Sequence, residues 1–128
     1  MSFELLKRRA LSFLRNARSS FEQGEYDISL FNIEQFIQLY SKYLLYKRMG
    51  DFPKTHSIIR LLKDIVKVYD AKELENFIQD HLEGLYLLEE AYISSRYLPR
   101  EYDMSIAAKL LNLSEKVLEV FKCLESQQ

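Results

Sequence analysis

The chain has 128 residues, of which 48% are hydrophobic and 29% are charged, and its formal net charge is -1. This composition predicts one soluble domain over residues 1–128, and it excludes a disordered chain and a protein that binds nucleic acid through its overall charge. The single cysteine excludes an intramolecular disulfide, and no apolar run is long enough for a secretory signal or a membrane span, so we expect a cytoplasmic protein with no membrane attachment.

The first helix is predicted between Ser2 and Gln23, where apolar residues recur at steps of three and four. Ser2 is its expected N-cap, and Gly24 is expected to end it in the left-handed conformation. Apart from one acid, Glu4, its outer face carries basic residues: Lys7, Arg8, Arg9, Arg15 and Arg18. Such a face is either a solvated surface or a contact for an anionic partner.

The second helix is predicted from Tyr26 to Arg48, with two apolar stripes that should contact neighbours on two sides and give the helix a central position. Gly50 ends it, and the residues that follow are typical of a turn. A short third helix is predicted between Ser57 and Tyr69, with Thr55 as its candidate N-cap.

A fourth helix is predicted to begin at Asp70, where Glu73 completes a capping box, and to carry one apolar stripe from Leu74 to Tyr92. Gly84 interrupts this stripe. Because glycine costs about 1 kcal/mol against alanine within a helix, we expect Gly84 to permit a tight crossing with a neighbouring helix.

The junction after this helix combines arginine, tyrosine and proline. Pro99 biases the preceding residue away from helical geometry, so the fourth helix should stop near Ser95 or Tyr97 and the last helix should open near Pro99 or Asp103. Arg96 and Tyr97 supply a fork for a phosphate and a face for a base. The junction is therefore a candidate ligand site.

No segment shows sustained period-two alternation, and the glycines and prolines lie almost wholly at the predicted boundaries. The pattern predicts an all-α fold, an up-and-down bundle of four long helices plus one short helix. The helices are rich in tyrosine, a residue that serves either in cores and interfaces or as a stacking platform for bases. The tyrosines concerned are Tyr40, Tyr43, Tyr46, Tyr92, Tyr97 and Tyr102.

Three scattered glycines cannot build a phosphate loop, a nucleophile elbow or a dinucleotide fingerprint. His56 and His81 lack a second ligand at i, i+4, so we predict neither a metal site nor a cofactor. His81 lies in an apolar stripe and is expected to be a hydrogen-bonded core residue, whereas His56 is placed to face a cleft. The adjacent carboxylates of Glu89 and Glu90 diverge on a helix and are interpreted as solvated.

Short phrases occur in a fixed order along the chain: Gly24-Glu25-Tyr26-Asp27 with Asn32-Ile33-Glu34-Gln35 and Lys42, then Gly50 with Pro53-Lys54-Thr55-His56-Ser57-Ile58, then Leu61-Leu62, then Ala91-Tyr92 with Ser95-Arg96-Tyr97-Leu98-Pro99 and Tyr102. On an all-α chain of this length they resemble the HEPN domain (higher eukaryotes and prokaryotes nucleotide-binding), over nearly the whole chain. The resemblance implies a helical bundle that usually forms a homodimer and associates with nucleotides or RNA. It also implies a minimal nucleotidyltransferase as partner, as in toxin-antitoxin pairs.

RNA-cutting members of this family carry an arginine that is followed, after four to six intervening residues, by a histidine. Arg96 matches the arginine, but the corresponding positions hold Glu101, Tyr102 and Asp103. Metal-free RNA cleavage needs a group that exchanges a proton near neutral pH, which imidazole does and a phenol or a carboxyl ordinarily does not. With this departure, the resemblance implies a nucleotide- or RNA-binding module with no catalytic residue, and we favour the interpretation that it is not an enzyme.

The predicted ligand-binding residues are Arg96, Tyr97, Tyr102, His56 and Lys42. Two alternatives stay open. One is a metal-independent RNase that uses Arg96 with Tyr102 or His56. The other is a scaffold whose aromatic surface binds another protein.

The homodimer contact is expected at the fourth helix and the junction after it, since Gly84 permits close approach and Tyr92, Tyr97 and Tyr102 supply rings with polar ends. If two copies of Arg96 face one cleft, an anion between them relieves their repulsion. A phosphate-bearing ligand is then expected to stabilise the dimer.

Overall fold

The computed structural model describes residues 2–97 and 100–127. Within these ranges the chain forms helices and no strand: α1 Glu4–Glu22, α2 Tyr26–Met49, α3 Ile58–Tyr69, α4 Lys72–Asp80, α5 Leu82–Tyr97 and α6 Met104–Glu125. The predicted all-α bundle is confirmed. Over the same residues, no helix has the length and apolar character needed to cross a membrane.

The glycine stops and one of the two predicted helix starts at the junction agree with the structure. Gly24 and Gly50 have φ of +77° and +75°, the left-handed conformation that lets a helix end and the chain turn back. Helix α6 begins after Asp103, whose Oδ1 accepts a hydrogen bond from Ser105 N at 2.8 Å. The other candidate start, Pro99, lies outside the described residues.

The start of α1 differs from the prediction by one residue. Phe3 occupies the N-cap position and provides no side-chain cap. Ser2, the predicted N-cap, precedes it, and its Oγ accepts a hydrogen bond from Glu4 N at 3.3 Å. The serine therefore satisfies a backbone donor of the first turn from just outside the cap position.

Two other predicted N-caps are wrong. Helix α3 is capped by Ser57, whose Oγ accepts from Arg60 N at 3.1 Å, while Thr55 instead accepts from the Ser57 backbone one step earlier. Asp70 does not open α4; it ends α3 with a φ of +51°. Aspartate tolerates this left-handed conformation better than most residues, so it serves here as a C-cap. Ala71 precedes α4 without a side-chain cap.

The predicted fourth helix is divided at His81, where φ is -121° and the backbone N–H bonds to the carbonyls of both Phe77 and Ile78. The apolar pattern continues across the break, because residues on both sides face the interior. Before the break α4 packs against α3, whereas α5 after it packs mainly against α2. His81 is therefore a half-buried residue at a helix boundary, not the core residue predicted, and its ring lies 4.3 Å from that of Phe77.

Helix α2 lies at the centre of the bundle and contacts α1, α3, α5 and α6. Its two apolar stripes place Phe36 and Tyr40 fully in the core, where the Tyr40 ring stacks on Phe121 at 4.9 Å. Glu125 at the end of α6 accepts a hydrogen bond from the Tyr40 hydroxyl and one from Lys7 Nζ at 2.7 Å. Burial, followed by the nearby carboxylate, raises the pKa of Tyr40 above its ordinary range. This cluster ties the ends of α1 and α6 to α2.

Gly84 marks a close approach of α5 to α6, as predicted. A Cβ at this position would lie 3.1 Å from methyl groups of both Leu110 and Leu113. The crossing is within the chain. Gly84 is therefore used for a crossing with α6, and the dimer contact that the sequence suggested for it stays a prediction.

Candidate functional site

The candidate site is built around Tyr92, a buried residue of α5. Its ring stacks on Phe31 of α2, with centroids 6.2 Å apart and planes 5° apart. It also stacks on His56, at 5.5 Å and 29°. Two aromatic neighbours thus fix the ring, and its hydroxyl has a defined position.

Arg96 follows Tyr92 by one helical turn, so the two side chains lie on the same face of α5. Arg96 Nη1 donates to the Tyr92 hydroxyl at 3.0 Å, and the guanidinium carbon lies 5.2 Å from the ring centroid. These contacts hold one side of the guanidinium group. The residue is otherwise exposed, so its remaining N–H groups can meet a ligand.

His56 lies in the segment before α3, and folding brings it to Arg96 through one hydroxyl group. His56 Nδ1 is 3.4 Å from Tyr92 Oη, the same oxygen that accepts from Arg96. The residue is exposed, but it is not among the residues that line the cleft at Arg96, so the expectation that it faces a cleft stays a prediction. An imidazole and a guanidinium are therefore neighbours even though 40 positions separate them in sequence.

Lys42 joins the same cluster through Gln38, one turn earlier on α2. Lys42 Nζ and His56 Nδ1 contact the same atom, Gln38 Oε1, at 3.1 Å and 3.4 Å. Burial lowers the pKa of Lys42, partly opposed by Glu34. Sequence reasoning missed Gln38; its signal was the spacing of three polar residues, 34, 38 and 42, along one face of a largely buried helix.

Glu34 is the innermost member of this row and is fully buried. Its Oε2 accepts from Gln38 Nε2 at 2.9 Å and its Oε1 from Gln35 Nε2 at 2.8 Å. Burial raises the pKa of Glu34 to about 7, against the opposing effect of these two hydrogen bonds. The carboxylate of Glu89 on α5 adds to the increase and the charge of Lys42 reduces it.

Glu89 fixes the segment that carries His56. Its Oε2 accepts hydrogen bonds from Ser57 Oγ at 2.7 Å and from Ile59 N at 3.1 Å, which anchors the start of α3 to α5. The prediction that Glu89 is a solvated carboxylate is therefore wrong, because a bundle partner supplies donors that the helical pattern alone does not reveal. Glu90 is exposed and forms an ion pair with Arg100.

Arg96 also lines a cleft of about 430 Å³ between the start of α2 and the end of α5. Phe31 and Ile28 give it apolar walls, and Asp27, Arg100 and Tyr102 are among its polar lining residues. Tyr102 Oη lies 3.3 Å from Ser94 Oγ, and the Arg100 guanidinium carbon lies 5.4 Å from the Tyr102 ring centroid. Tyr102 thus borders the cleft together with two arginines.

Tyr97 lies apart from these residues. It is 74% exposed and shares the outer face of α5 with Tyr86 and Ile93, which are each 57% exposed. The structure therefore brings His56 and Lys42 to Arg96 through Tyr92 and Gln38, and it brings Tyr102 to the cleft beside Arg96. Along residues 2–97 and 100–127 there is no group of three or more His, Cys, Asp or Glu residues that could hold a metal ion.

Comparison with known proteins gives one family match and a similar solved structure. A family model described as "HEPN domain" matches residues 3–124. Among solved structures, a chain described as the crystal structure of TT1696 from Thermus thermophilus is similar to this one with a TM-score of 0.75 and 25% sequence identity, over 95% of this chain and 97% of that chain. No curated protein matches the sequence.

Proposed function

Because the chain belongs to the HEPN domain family, as its sequence phrases predicted, we propose that it binds a nucleotide or RNA at the Arg96 site without cleaving it. The family is one of nucleotide-binding and RNase-type modules, which sets the class of ligand. The identity of the ligand and the absence of cleavage are our proposal.

The observation that carries this proposal is the oriented guanidinium of Arg96 at the mouth of the cleft. Tyr92 holds Arg96 by a 3.0 Å hydrogen bond and by its ring, so the group is ordered before a ligand arrives. Arg100, which forms an ion pair with Glu90, borders the same cleft and brings a second guanidinium group. Two guanidinium groups on one cleft suit a phosphate, which each can bind through paired N–H groups.

The cleft has the properties of a base-binding pocket. Its volume of about 430 Å³ falls within the range usual for small-ligand sites, and its apolar walls include the edge of Phe31. Asp27 and Tyr102 offer polar groups near these walls. A base held by apolar contact, with one or two hydrogen bonds at its edge, would leave its phosphate at Arg96 and Arg100.

The residues at the family's histidine positions favour binding over cleavage. Asp103 is used as the N-cap of α6, and Tyr102 Oη contacts Ser94 Oγ at 3.3 Å. Glu101 is exposed to solvent. None of the three side chains has the chemistry of the imidazole that the RNA-cutting members use at this place.

A second candidate function is metal-independent RNA cleavage by Arg96 and His56. One observation favours it: both side chains contact the Tyr92 hydroxyl, at 3.0 Å and 3.4 Å. In such a reaction His56 would accept the proton of the 2′-hydroxyl while Arg96 stabilised the charge that develops on the phosphate. His56 would then replace a family histidine that is absent from its usual sequence position.

We further propose that two copies pair through the outer face of α5, which exposes Tyr86, Ile93 and Tyr97. Large exposed apolar side chains on one helical face are typical of an interface, and isologous pairing is the commonest form of assembly. Tyr92 is buried against Phe31 and His56, so it is not part of this face. A nucleotidyltransferase partner and a cytoplasmic location remain predictions, the first on the family resemblance and the second on the sequence.

The proposed function is tested by the binding of a fluorescently labelled single-stranded RNA, measured by anisotropy at constant salt. Arg96→Ala should weaken binding about tenfold or more, because it removes a charge-assisted contact to phosphate. Arg9→Ala, on the exposed outer face of α1, is the matched control and should change affinity far less. Absence of binding by the wild type, or equal effects of both substitutions, would refute the proposal.

A further inference from the structure

Glu34 is a buried carboxylate whose role beside the ligand site needs an explanation. It is 0% exposed, and its two oxygens accept hydrogen bonds from the side-chain amides of Gln35 and Gln38, at 2.8 Å and 2.9 Å. Above its pKa of about 7 the group is ionised, and both of its oxygens then act only as acceptors. Burying a charge lowers the stability of a fold. The side chain of Gln38 links this carboxylate to His56, because it contacts both groups.

Gln38 lies between this carboxylate and Lys42, and the groups at its two ends fix the direction of its amide. Nε2 donates to Glu34 at 2.9 Å, and Oε1 accepts from Lys42 Nζ at 3.1 Å. A carboxylate can only accept, and an ammonium group can only donate. Turning the amide over would set oxygen against oxygen and N–H against N–H in a residue that is 4% exposed. The carbonyl of Gln38 therefore points toward Lys42 and His56.

This direction decides which ring nitrogen of His56 carries the proton. Nδ1 lies 3.4 Å from Gln38 Oε1, which can only accept, so Nδ1 is protonated in the neutral ring. The Tyr92 hydroxyl, also 3.4 Å from Nδ1, accepts from Arg96 and can share the same proton. Nε2 then keeps its lone pair, and among the described residues it has no hydrogen-bond partner.

We propose that Gln38, held by Glu34 and Lys42, is a positioning residue that fixes the proton of His56 on Nδ1 and leaves Nε2 free to accept a hydrogen bond from the 2′-hydroxyl of a ribonucleotide. The ligand in this inference rests on the proposed function, in which Arg96 binds the adjacent phosphate. The tautomer does not, since it is a property of the free protein. Deoxyribose lacks the 2′-hydroxyl, so the site prefers RNA to DNA of the same sequence.

The tautomer is tested by 15N NMR of the ring nitrogens in the ligand-free protein at pH 8, with His81 as internal reference. In the wild type, Nδ1 of His56 should give the shift of a protonated ring nitrogen and Nε2 that of an unprotonated one. Gln38→Met keeps an unbranched side chain of similar size but removes the acceptor, so the proton should move toward Nε2. Gln35→Met is the matched control, because Gln35 contacts Glu34 but not His56, and it should leave the tautomer unchanged.

The wild-type spectrum alone tests which ring nitrogen of His56 carries the proton, whether or not the variants fold. A proton on Nε2 in the wild type overturns the inference. So does a folded Gln38→Met protein, judged by its helical circular dichroism, in which the His56 tautomer is the same as in the wild type.

The ligand preference is tested with three oligonucleotides of one sequence: RNA, DNA and 2′-fluoro RNA, which keeps the ribose geometry but lacks the hydroxyl donor. The wild type should bind RNA about fivefold tighter than the other two, the effect of one hydrogen bond. His56→Ala and Gln38→Met should remove this preference, whereas Arg96→Ala should weaken binding of all three. Equal binding of RNA and 2′-fluoro RNA overturns the ribose contact. If none of the three binds, the proposed function fails as well, while the tautomer result stands separately.

Discussion

Arg96 Nη1 donates to the hydroxyl of Tyr92 at 3.0 Å, and its guanidinium group also lies beside the Tyr92 ring, 5.2 Å from the centroid. The four-residue spacing on α5 places both contacts on one side of the guanidinium. The opposite side is left for a ligand. Tyr92 itself is fixed by stacking on Phe31 and His56, and it in turn orients the side chain of Arg96.

Tyr92→Phe should therefore separate the contribution of the Tyr92 hydroxyl from that of its ring. The substitution keeps both stacking contacts but removes the acceptor for Arg96, so RNA affinity should fall about three- to tenfold while the free energy of unfolding changes by less than about 1.5 kcal/mol. Anisotropy titration and urea unfolding measure the two effects. Tyr26→Phe, which alters a half-buried tyrosine that packs on Phe21, is the control and should leave RNA affinity unchanged.

Glu34 should make the stability of the protein depend on pH between about 4.5 and 7. Its pKa is raised from 4.5 to about 7 in the folded state, so the folded protein binds the proton more tightly than the unfolded chain does. This contribution to stability is fully present below pH 4.5 and is lost as the pH rises through 7. Burial raises this pKa and the carboxylate of Glu89 on α5 adds to the increase, whereas Gln35, Gln38 and Lys42 on α2 oppose it.

Glu34→Gln removes this titration and keeps the size of the side chain. Between pH 5 and pH 8, the wild type should lose about 3 kcal/mol of unfolding free energy relative to Glu34→Gln. Comparing the two proteins by urea unfolding at both pH values cancels the groups that titrate in common. A difference that stays constant with pH would show that the Glu34 carboxylate is not perturbed.

The core offers a prediction that is independent of any ligand. Phe36 and Leu85 are fully buried, and the Phe36 ring contacts those of Tyr40 and Phe121 at 6.0 Å and 6.2 Å. Truncation of either Phe36 or Leu85 to alanine leaves a cavity and should lower the free energy of unfolding by about 2 to 5 kcal/mol. Urea unfolding is the measurement, with exposed Ala108 changed to serine as a control of small effect.

The sequence predicts the helices better than it predicts their ends and contacts. Apolar spacing locates α1, α2 and α6 because the apolar stripes of each helix, one or two in number, run without interruption along its length. The same reasoning does not detect the break at His81, because the apolar residues before and after it face inward and their spacing does not change. Asp70 is similarly ambiguous, since the side chain that suits an N-cap also suits the left-handed conformation that ends α3.

The candidate site could be predicted only in part. Arg96 stands out because it adjoins a proline-containing junction with several tyrosines. That His56 lies beside it depends on how α3 packs against α5, which is fixed by hydrogen bonds from Ser57 and Ile59 to Glu89. No local pattern encodes such a contact. Gln38 was missed because its spacing from residues 34 and 42 indicates only a polar face, whereas its role depends on contacts with Glu34, Lys42 and His56.

Binding and cleavage are separated by incubation with single-stranded RNA. We expect the purified protein to leave RNAs of several sequences intact without metal and at high protein concentration, because the histidine of the family motif is absent. Denaturing gels measure intact length. Cleavage that disappears in both Arg96→Ala and His56→Ala would instead establish the second candidate function, with the Tyr92 hydroxyl as the link between the two side chains.

Pairing through the outer face of α5 can be tested by the mass of the protein in solution. Light scattering should give twice the 15.3 kDa mass of one chain for the wild type, whereas Ile93→Glu, which buries a charge in the proposed contact, should give the mass of one chain. Met49→Glu is the control, because Met49 is similarly exposed at the end of α2 and should leave the dimer intact. A wild-type protein that is monomeric, or an Ile93→Glu protein that still pairs, would exclude this interface.

Pairing should also be linked to the ligand, since Arg96 and Arg100 lie on and just beyond the helix that carries the contact. Bringing two copies together increases the repulsion between their guanidinium groups, and a bound phosphate offsets it while accepting charge-assisted hydrogen bonds. A nucleotide should therefore raise the thermal midpoint of the wild type, and it should raise that of Arg96→Ala much less. Equal stabilisation of the two proteins would mean that the nucleotide binds elsewhere, and the outer face of α5 would then have to be explained without the Arg96 site.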